Sequence, residues 1–125
     1  MKRALLVAGF LVAVPGWVLP AHAQDAEEGK KVFNAICHLC HEAIKNKNRV
    51  GPSLFGVIGR HSGIVPGFAY SDANKNSGIT WTEDVLFKYD EDPQKMVPGT
   101  KMTYTGLKDA QKRRDLIAYF KTLHD

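Results

Sequence analysis

Two cysteines and a histidine stand close together in the stretch Cys37-His38-Leu39-Cys40-His41. Cys-x-x-Cys-His is the spacing of covalent haem attachment. Residues three apart share one face of a helical turn, so both sulfurs can reach the two vinyl groups along one porphyrin edge and form thioether bonds. The imidazole that follows then lies under the ring, where it can bind the iron from one side. The motif therefore predicts a redox cofactor, its attachment through Cys37 and Cys40, and its first axial ligand, His41.

Two other chemistries also use a Cys-x-x-Cys pair. Such a pair can cycle between dithiol and disulfide, or it can supply half of a structural zinc site. The chain contains 2 cysteines in all, so no second pair completes a zinc site. No strand-helix context of the thioredoxin type precedes Cys37. Covalent haem is therefore the prediction, and its detection would remove the thiol oxidoreductase alternative.

The amino terminus has the composition of an export signal. A short basic region at 2–3 precedes an apolar run at 4–20, and 21–23 read Ala-His-Ala, which is a small-residue cleavage site. Pro15 and Gly16 interrupt the apolar run, which is also short for a bilayer span. We therefore predict a cleaved secretory signal peptide, periplasmic localisation, and no stable membrane insertion after cleavage.

Cleavage of residues 1–23 leaves one domain at 24–125, small enough that a buried haem would supply much of its apolar volume. The whole chain carries a formal charge of +4, and loss of Lys2 and Arg3 lowers it to +2. Nucleic-acid binding favours a dense basic stripe, so this mild charge argues against a nucleic-acid partner. Any cationic patch is expected to be local and to face an acidic protein.

Helices must position the motif, because the chain shows almost no alternating strand pattern. Asp25 and Glu28 predict a capping box for a first helix whose apolar face leads into the cysteines. Apolar residues recur with helical spacing over 109–124, which predicts a terminal helix. Gly29 costs about 1 kcal/mol relative to alanine in a helix interior, so close approach of another helix would explain it. We predict an all-α fold in which the two terminal helices dock at Gly29.

Long loops are predicted between these helices. Residues 50–67 hold five glycines and two prolines, too many for regular structure. Ser71 is predicted to cap a short helix that ends near Gly78, and Thr82 to open another that Pro93 limits. Long loops in a compact domain usually have a function. Here the need to enclose a haem would account for their length.

The second axial ligand decides between electron transfer and ligand chemistry at an open iron site. The candidates beyond residue 23 are Met96, Met102, His38, His61 and His124. Spacing alone does not choose among them. The turn-rich segment 98–102 favours a loop that folds back over the ring, and hence Met102, whose thioether would raise the potential as expected of a carrier. Simple packing of Met102 in the core stays open as an alternative.

Several longer stretches resemble class I c-type cytochromes, specifically the bacterial cytochrome c2 and mitochondrial cytochrome c group. The resemblance covers nearly everything from Gly29 to Leu123. The matching stretches are Gly-Pro-Ser-Leu at 51–54, Gly-Arg at 59–60, 67–76, 78–81, Pro-Gly-Thr-Lys-Met at 98–102, and 116–119. The resemblance implies a small single-domain cytochrome c fold whose loops wrap one haem c, bound covalently.

The resemblance also implies roles for individual residues. Pro52 would offer its carbonyl to His41, and Met102 would be the distal ligand. Two further groups of residues would meet the haem propionates and form a buried polar network near the methionine. They are Arg60, Tyr70 and Trp81 for the propionates, and Asn74, Tyr89 and Thr100 for the network. Independently of the resemblance, a buried propionate needs pairing or hydrogen bonds, which an arginine and the polar tips of Tyr and Trp can supply.

The function implied is one-electron transfer rather than enzymatic catalysis, with both axial ligands kept in the ferric and ferrous states. The implied partners are acidic faces of membrane or soluble redox proteins, such as a cytochrome bc1 complex as donor and a reaction centre or oxidase as acceptor. The protein is expected to be a monomer. A haem enzyme or gas sensor with an open sixth site is the competing interpretation. The corresponding docking candidates are Lys31, Lys45, Lys47, Lys95, Lys101 and Lys108.

Three positions depart from the family pattern. Asp90 follows Tyr89, where relatives usually carry an apolar residue. A carboxylate facing the haem there would be costly to bury and would favour ferric iron, so we hypothesise a local rearrangement at this point. Gln94 and Tyr104 stand where many relatives carry lysine and phenylalanine, so docking is expected to differ in detail.

Overall fold

The computed structural model describes residues 23–125, so nearly all of the predicted signal peptide lies outside the described residues. Within this range the only β pairing is an isolated bridge between His61 and Thr80. None of the helices there is long and apolar enough to cross a membrane. The all-α prediction is confirmed. The elements are α1 (Ala26–Ala35), a 3-10 turn (Cys37–Leu39), α2 (Asp72–Lys75), α3 (Glu83–Tyr89), α4 (Pro93–Met96) and α5 (Ala110–Phe120).

Asp25 begins α1, but the predicted capping box does not close. The Asp25 carboxylate accepts hydrogen bonds from the amides of Glu27 and Glu28, at 2.9 and 3.1 Å. The Asp25 amide, however, donates to Asp115 Oδ1 at 3.0 Å, and the Glu28 carboxylate pairs with Lys31 at 2.5 Å. The start of α1 is therefore tied directly to α5.

The helices α1 and α5 cross at Gly29, as predicted. A Cβ atom added to Gly29 would lie 1.9 Å from the backbone oxygen of Asp115 and 2.9 Å from Tyr119 Cβ. The ring of Phe33, one turn further along α1, lies 5.4 Å from the Tyr119 ring. Phe33 and Leu116 are buried at the centre of the core. Glycine therefore allows the two backbones to touch, and this contact closes the fold from end to end.

Side-chain caps set the short helices. The hydroxyl of Ser71 accepts from the amide of Asn74 to begin α2, and the Thr82 hydroxyl caps α3 in the same way. Pro93 follows the end of α3 as predicted, but it also opens α4, a helix that the sequence analysis did not predict. Proline suits the first helical position, where its missing N–H leaves no hydrogen bond unmade. The last helix ends at Phe120, four residues before the predicted end.

The loop that carries Met102 is anchored where it returns to α5. The amide of Leu107 donates to the Asp90 carbonyl at 2.7 Å, and buried Arg113 donates to the Leu107 carbonyl at 2.6 Å. Gly106 adopts φ +103, and a Cβ there would lie 1.9 Å from the Glu91 carbonyl oxygen. The left-handed backbone and this close approach both require glycine. The end of α3 therefore holds the loop in place.

Candidate haem-binding site

The cysteine motif lies on the 3-10 turn directly after α1. The amides of Cys40 and His41 both donate to the Cys37 carbonyl, at 3.1 and 2.9 Å, so the motif closes into one tight turn. Neither cysteine is in a disulfide. Burial raises the pKa of the Cys37 thiol to about 12, and the nearby Asp90 carboxylate adds to that shift. The first helix thus delivers the motif to the core, as the sequence predicted.

His41 is oriented by the backbone of the following loop. Its Nδ1 lies 2.7 Å from the carbonyl oxygen of Pro52. Because a carbonyl only accepts hydrogen bonds, Nδ1 carries the proton and Nε2 keeps its lone pair for a metal. Burial lowers the pKa of His41, and the Pro52 hydrogen bond opposes that shift. The imidazole is therefore held neutral at neutral pH, in the tautomer that iron coordination requires.

Gly51 forms the surface against which the His41 ring packs. A Cβ atom at this position would lie 2.3 Å from His41 Cε1 and 2.8 Å from Nε2. The Gly51 amide also donates to the Cys40 carbonyl at 2.8 Å, which ties the loop to the motif. In the sequence Gly51 stands out only as part of a matching stretch, because its contact with the ring is tertiary.

Replacing Gly51 with alanine is expected to push the His41 ring away from its position. The ring is a side chain and can shift, so we expect stability to fall by about 1–2 kcal/mol together with a loss of bound haem. Haem content per polypeptide and denaturant unfolding measure the two effects. Gly56→Ala is the control, since its φ of +68 strains alanine while nothing lies within 4 Å of the added Cβ. Equal haem content in both variants would contradict the role of Gly51.

A second set of residues orients the sulfur of Met102. The Tyr89 hydroxyl donates to Met102 Sδ at 3.2 Å. The Met102 amide donates to Thr100 Oγ1 at 3.2 Å, and that hydroxyl donates to Asn74 Oδ1 at 3.0 Å. Burial raises the pKa of Tyr89 to about 12, with the charge of Asp90 adding to it, so the hydroxyl stays a donor at neutral pH. The sulfur is therefore aimed by hydrogen bonds rather than merely packed.

Ser71 belongs to the same network, a role that was not predicted from the sequence. Its hydroxyl accepts from the Asn74 amide at 3.1 Å and donates to Asn74 Oδ1 at 2.8 Å. The cap of α2 thus also fixes the side-chain amide that receives Thr100. The sequence signal for this role is a capping serine with an asparagine three residues later. The third member, the Thr100 hydroxyl, lies 26 residues beyond Asn74, so local spacing does not reveal it.

A third set contains Arg60, Tyr70 and Trp81. Arg60 Nη1 donates to the Phe55 carbonyl at 3.0 Å, and the Trp81 amide donates to the Arg60 carbonyl at 2.9 Å. The Tyr70 hydroxyl accepts from the amide of Val65 at 3.2 Å. Burial lowers the pKa of the Arg60 guanidinium and raises the pKa of Tyr70. The loop backbone therefore holds the Arg60 and Tyr70 side chains, and a backbone hydrogen bond joins Trp81 to Arg60.

This third set fits the carboxylates of a haem. Arg60 Nε is buried with no hydrogen-bond partner among residues 23–125. Buried donors are rarely left unpaired in folded proteins. The Tyr70 hydroxyl accepts one bond and keeps its own proton for another acceptor. An anionic group at this place would satisfy both donors, and a propionate of a haem held at Cys37 and Cys40 has that chemistry.

The three sets meet around one region of the core. The rings of Trp81 and Tyr89 lie 4.7 Å apart, which joins the Arg60 set to the Met102 set. Cys37 and Met102 both pack against the same buried core cluster. The structure therefore places Trp81 beside Tyr89, and it places Cys37 and Met102 against one core.

Asp90 keeps a regular position at the end of α3. Its φ and ψ of −66 and −15 are helical, and its amide donates to the Leu86 carbonyl. The hypothesised rearrangement is therefore wrong, and the residue is 8% exposed. Burial raises the pKa of the Asp90 carboxyl to about 7, while the positive charge of Arg113 opposes that rise.

The fold and the site together define a small helical haem protein whose cofactor is attached through two neighbouring cysteines. The family model for cytochrome c matches residues 26–124. The chain is 66% identical over 99 residues to cytochrome c2 of Rhodopila globiformis, a match that covers 79% of this chain and 93% of that protein. The match to cytochrome c2 of Blastochloris viridis is 56% over 120 residues, covering 95% and 92%. The chain belongs to the cytochrome c family.

A solved structure agrees with this assignment. Cytochrome cH from Methylobacterium extorquens superposes with a TM-score of 0.73 at 48% identity, covering 78% of this chain and 98% of that one. Members of the family are electron carriers, not enzymes, and they hold haem c covalently through cysteines with the spacing of Cys37 and Cys40. The predictions of a cytochrome c fold, haem c and a carrier rather than an enzyme are confirmed.

Proposed function

We propose that residues 1–23 are removed on export and that residues 24–125 act as a soluble, monomeric one-electron carrier in the periplasm. The carrier moves electrons between respiratory or photosynthetic redox partners. The export-signal composition of residues 1–23 supports the location, and the family membership supports the carrier role.

The hydrogen bond from Tyr89 to Met102 Sδ carries this proposal. We assign His41 and Met102 as the residues that would bind the haem iron, and the bound haem would supply a one-electron couple. Pro52 holds the proximal ring while Tyr89 and Thr100 hold the distal loop. Because protein hydrogen bonds hold both side chains, they would keep their positions in both oxidation states. The protein therefore accepts and passes on an electron without making or breaking a bond to a substrate.

The other site residues take supporting roles in the proposal. Cys37 and Cys40 would hold the haem through thioether bonds. Arg60, Tyr70 and Trp81 would receive its propionates, and the polar network that fixes the Met102 loop consists of Asn74, Tyr89 and Thr100. The unpaired Arg60 Nε is the support for the first group, and the chain of hydrogen bonds through Asn74 Oδ1 is the support for the second.

An exposed edge suits electron transfer to another protein. Leu39 lies between the two cysteines and is 70% exposed, so the turn that carries the attachment cysteines lies at the surface. We propose that acidic faces of redox proteins dock there, such as a cytochrome bc1 complex as donor and a reaction centre or oxidase as acceptor. Charge complementarity would then raise the rate of encounter.

The lysines are not equivalent for docking. Lys31, Lys45 and Lys47 each lie within ion-pair distance of a carboxylate of this chain. The remaining candidates form no ion pair among residues 23–125. They are Lys95, Lys101 and Lys108. Their charges are therefore the ones most available to a partner.

We expect reduction of the ferric protein by purified cytochrome bc1 complex to slow several-fold as ionic strength rises from about 10 mM to about 200 mM. Lys101→Glu should slow the reaction several-fold at the lower salt, because it reverses a docking charge. Lys112→Glu, on the exposed side of α5, changes net charge equally and should leave the rate nearly unchanged. Stopped-flow kinetics measure the rate constants, and a salt-independent rate would count against this docking mode.

The proposal as a whole is tested on protein recovered from the periplasmic fraction. We expect an intact mass equal to residues 24–125 plus one haem, and a ferric absorption spectrum with the weak near-infrared band of methionine ligation. Attached haem without that band would overturn the assignment of Met102. An uncleaved chain recovered with the membranes would overturn the proposed processing and location.

A further inference from the structure

Asp90 is a buried carboxyl group that the proposed function does not use. It is 8% exposed, and its Oδ2 has no hydrogen-bond partner among the residues the structure describes. Its backbone already completes the end of α3 and receives the Leu107 amide, so the side chain adds nothing to those contacts. Burial of an unpaired carboxylate is unfavourable. The side chain therefore stays at a cost that a neutral residue would avoid.

The charge of this carboxyl acts on groups in three elements of the site. Its negative charge contributes to raising the pKa of Cys37 on the 3-10 turn, of Tyr89 on α3 and of Tyr104 in the loop beyond Met102. Cys37 is an attachment point of the haem, and Tyr89 donates to Met102 Sδ. The Asp90 carboxyl therefore lies within electrostatic range of the groups that border the redox centre, in a region shielded from water.

The nearest cation forms no ion pair with Asp90, although the buried Nε of Arg113 has no hydrogen-bond partner among residues 23–125. Arg113 of α5 favours the Asp90 carboxylate by its charge, but its guanidinium donates to the carbonyls of Leu107 and Lys108 and pairs with Glu91 at 3.3 Å. The Lys108 ammonium likewise donates to the Glu91 carbonyl at 2.5 Å. No hydrogen bond from either cation reaches Asp90. The carboxyl is therefore free to change its protonation state without breaking an ion pair.

Electron and proton affect each other when they lie close together in a medium of low polarity. An added electron makes the surroundings more negative and disfavours a neighbouring carboxylate. By thermodynamic linkage, protonation of that carboxyl favours the added electron to the same extent. A carboxyl that titrates near neutral pH makes this coupling visible in the physiological range.

We propose that Asp90 takes up one proton when the protein accepts an electron and releases that proton when the electron is passed on. The proton comes from solvent and returns to it. On reduction one electron arrives from the donor and one O–H bond forms on the carboxylate, and oxidation reverses both changes. This inference rests on the proposed carrier function, and it makes electron transfer by this chain responsive to pH.

The test is the reduction potential of the haem-loaded protein between pH 5 and pH 8.5, for the wild type and for Asp90→Asn. The equilibrium constant for reduction is compared between pH 8.5 and pH 5 in each protein. We expect it to rise as the pH falls, by a factor at least three times larger in the wild type than in Asp90→Asn. The limiting slope for one proton per electron is tenfold per pH unit, which is about 59 mV for a one-electron couple. A difference below threefold between the two proteins would overturn the proposal.

Asp84→Asn is the matched control. It removes one carboxylate from the same helix, but Asp84 is exposed at the first turn of α3. This variant should keep the wild-type pH dependence, and a flattened profile in it would assign the effect to surface charge instead. The near-infrared band is recorded throughout. Absence of the near-infrared band would contradict the proposed ligation by Met102. If the band is retained but the wild-type potential does not change with pH, the Asp90 inference alone is contradicted.

Infrared spectroscopy of the wild type keeps the test independent of the variant's folding. The redox difference spectrum should show a protonated carboxyl stretch that appears on reduction and shifts in deuterated water. No such band would overturn the proposal.

Folding stability gives another readout for Asp90. Since the pKa of Asp90 rises on folding from its ordinary value of 3.8 to about 7, the contribution of Asp90 to folding stability is greatest below about pH 4 and is lost as the pH rises towards 7. Asp90→Asn should lose less stability over the same range, as measured by denaturant unfolding. Identical losses in the two proteins would contradict the burial of a titrating Asp90.

Discussion

Replacing Met102 with alanine is expected to lower the reduction potential by on the order of 0.1 V and to abolish the near-infrared band of the ferric protein. The thioether is a soft ligand that favours ferrous iron, so its loss stabilises the ferric state. The change also leaves the Tyr89 hydroxyl without its acceptor, and a buried donor left unpaired costs about 1–3 kcal/mol. Potentiometric titration followed by absorbance measures the first effect.

Met96→Ala is the control for that experiment. Met96 also packs against the core cluster, at the end of α4, and it is the other methionine within residues 23–125. Its truncation should reduce stability while leaving the potential and the near-infrared band in place. The assignment of Met102 fails if both variants retain the band.

Replacing Gly29 with alanine is expected to destabilise the protein by at least about 3 kcal/mol, although helix propensity alone favours alanine by about 1 kcal/mol. The added Cβ would lie 1.9 Å from the Asp115 oxygen and 2.5 Å from its carbonyl carbon. Both are backbone atoms in the middle of α5, so relief requires the two helices to move apart. Denaturant unfolding of the ferric protein, followed by circular dichroism, gives the free energy of unfolding.

Lys30→Ala provides the comparison within the same helix. Lys30 is exposed on α1, so its truncation should change the free energy of unfolding by no more than about 0.5 kcal/mol. Movement of α1 away from α5 would also weaken the hydrogen bond from the Asp25 amide to Asp115 Oδ1. If Gly29→Ala proved as stable as Lys30→Ala, the crossing would not be as close as the structure shows.

The differences between sequence and structure follow from interactions over long distances in the chain. The Asp25 and Glu28 pattern predicted a capping box, yet the partner of the Asp25 amide is Asp115, 90 residues away. Pro93 was expected only to limit a helix, and α4 forms after it because Asp92 caps the new turn. Local patterns identified these residues correctly but could not show which distant group each would meet.

Asp90 shows the same limit for a buried charge. Its cost of burial led to the hypothesis of a local rearrangement, but the helical hydrogen bond to Leu86 and the contact with Leu107 keep the backbone regular. The side chain instead remains in the core, with its pKa raised by burial. The preference of one side chain was therefore outweighed by the backbone contacts on either side of it.

The sequence by itself determined the cofactor, the attachment residues and the helical class, because the Cys37-x-x-Cys40-His41 spacing and the caps depend on neighbours within one turn. It also marked Gly29 as a point of close approach. Only the tertiary structure decided that Gly51 supports the His41 ring, that Tyr89 aims the Met102 sulfur, and that the Asp90 carboxyl is buried. These features join segments far apart in the chain, so packing, rather than local spacing, determines which groups meet.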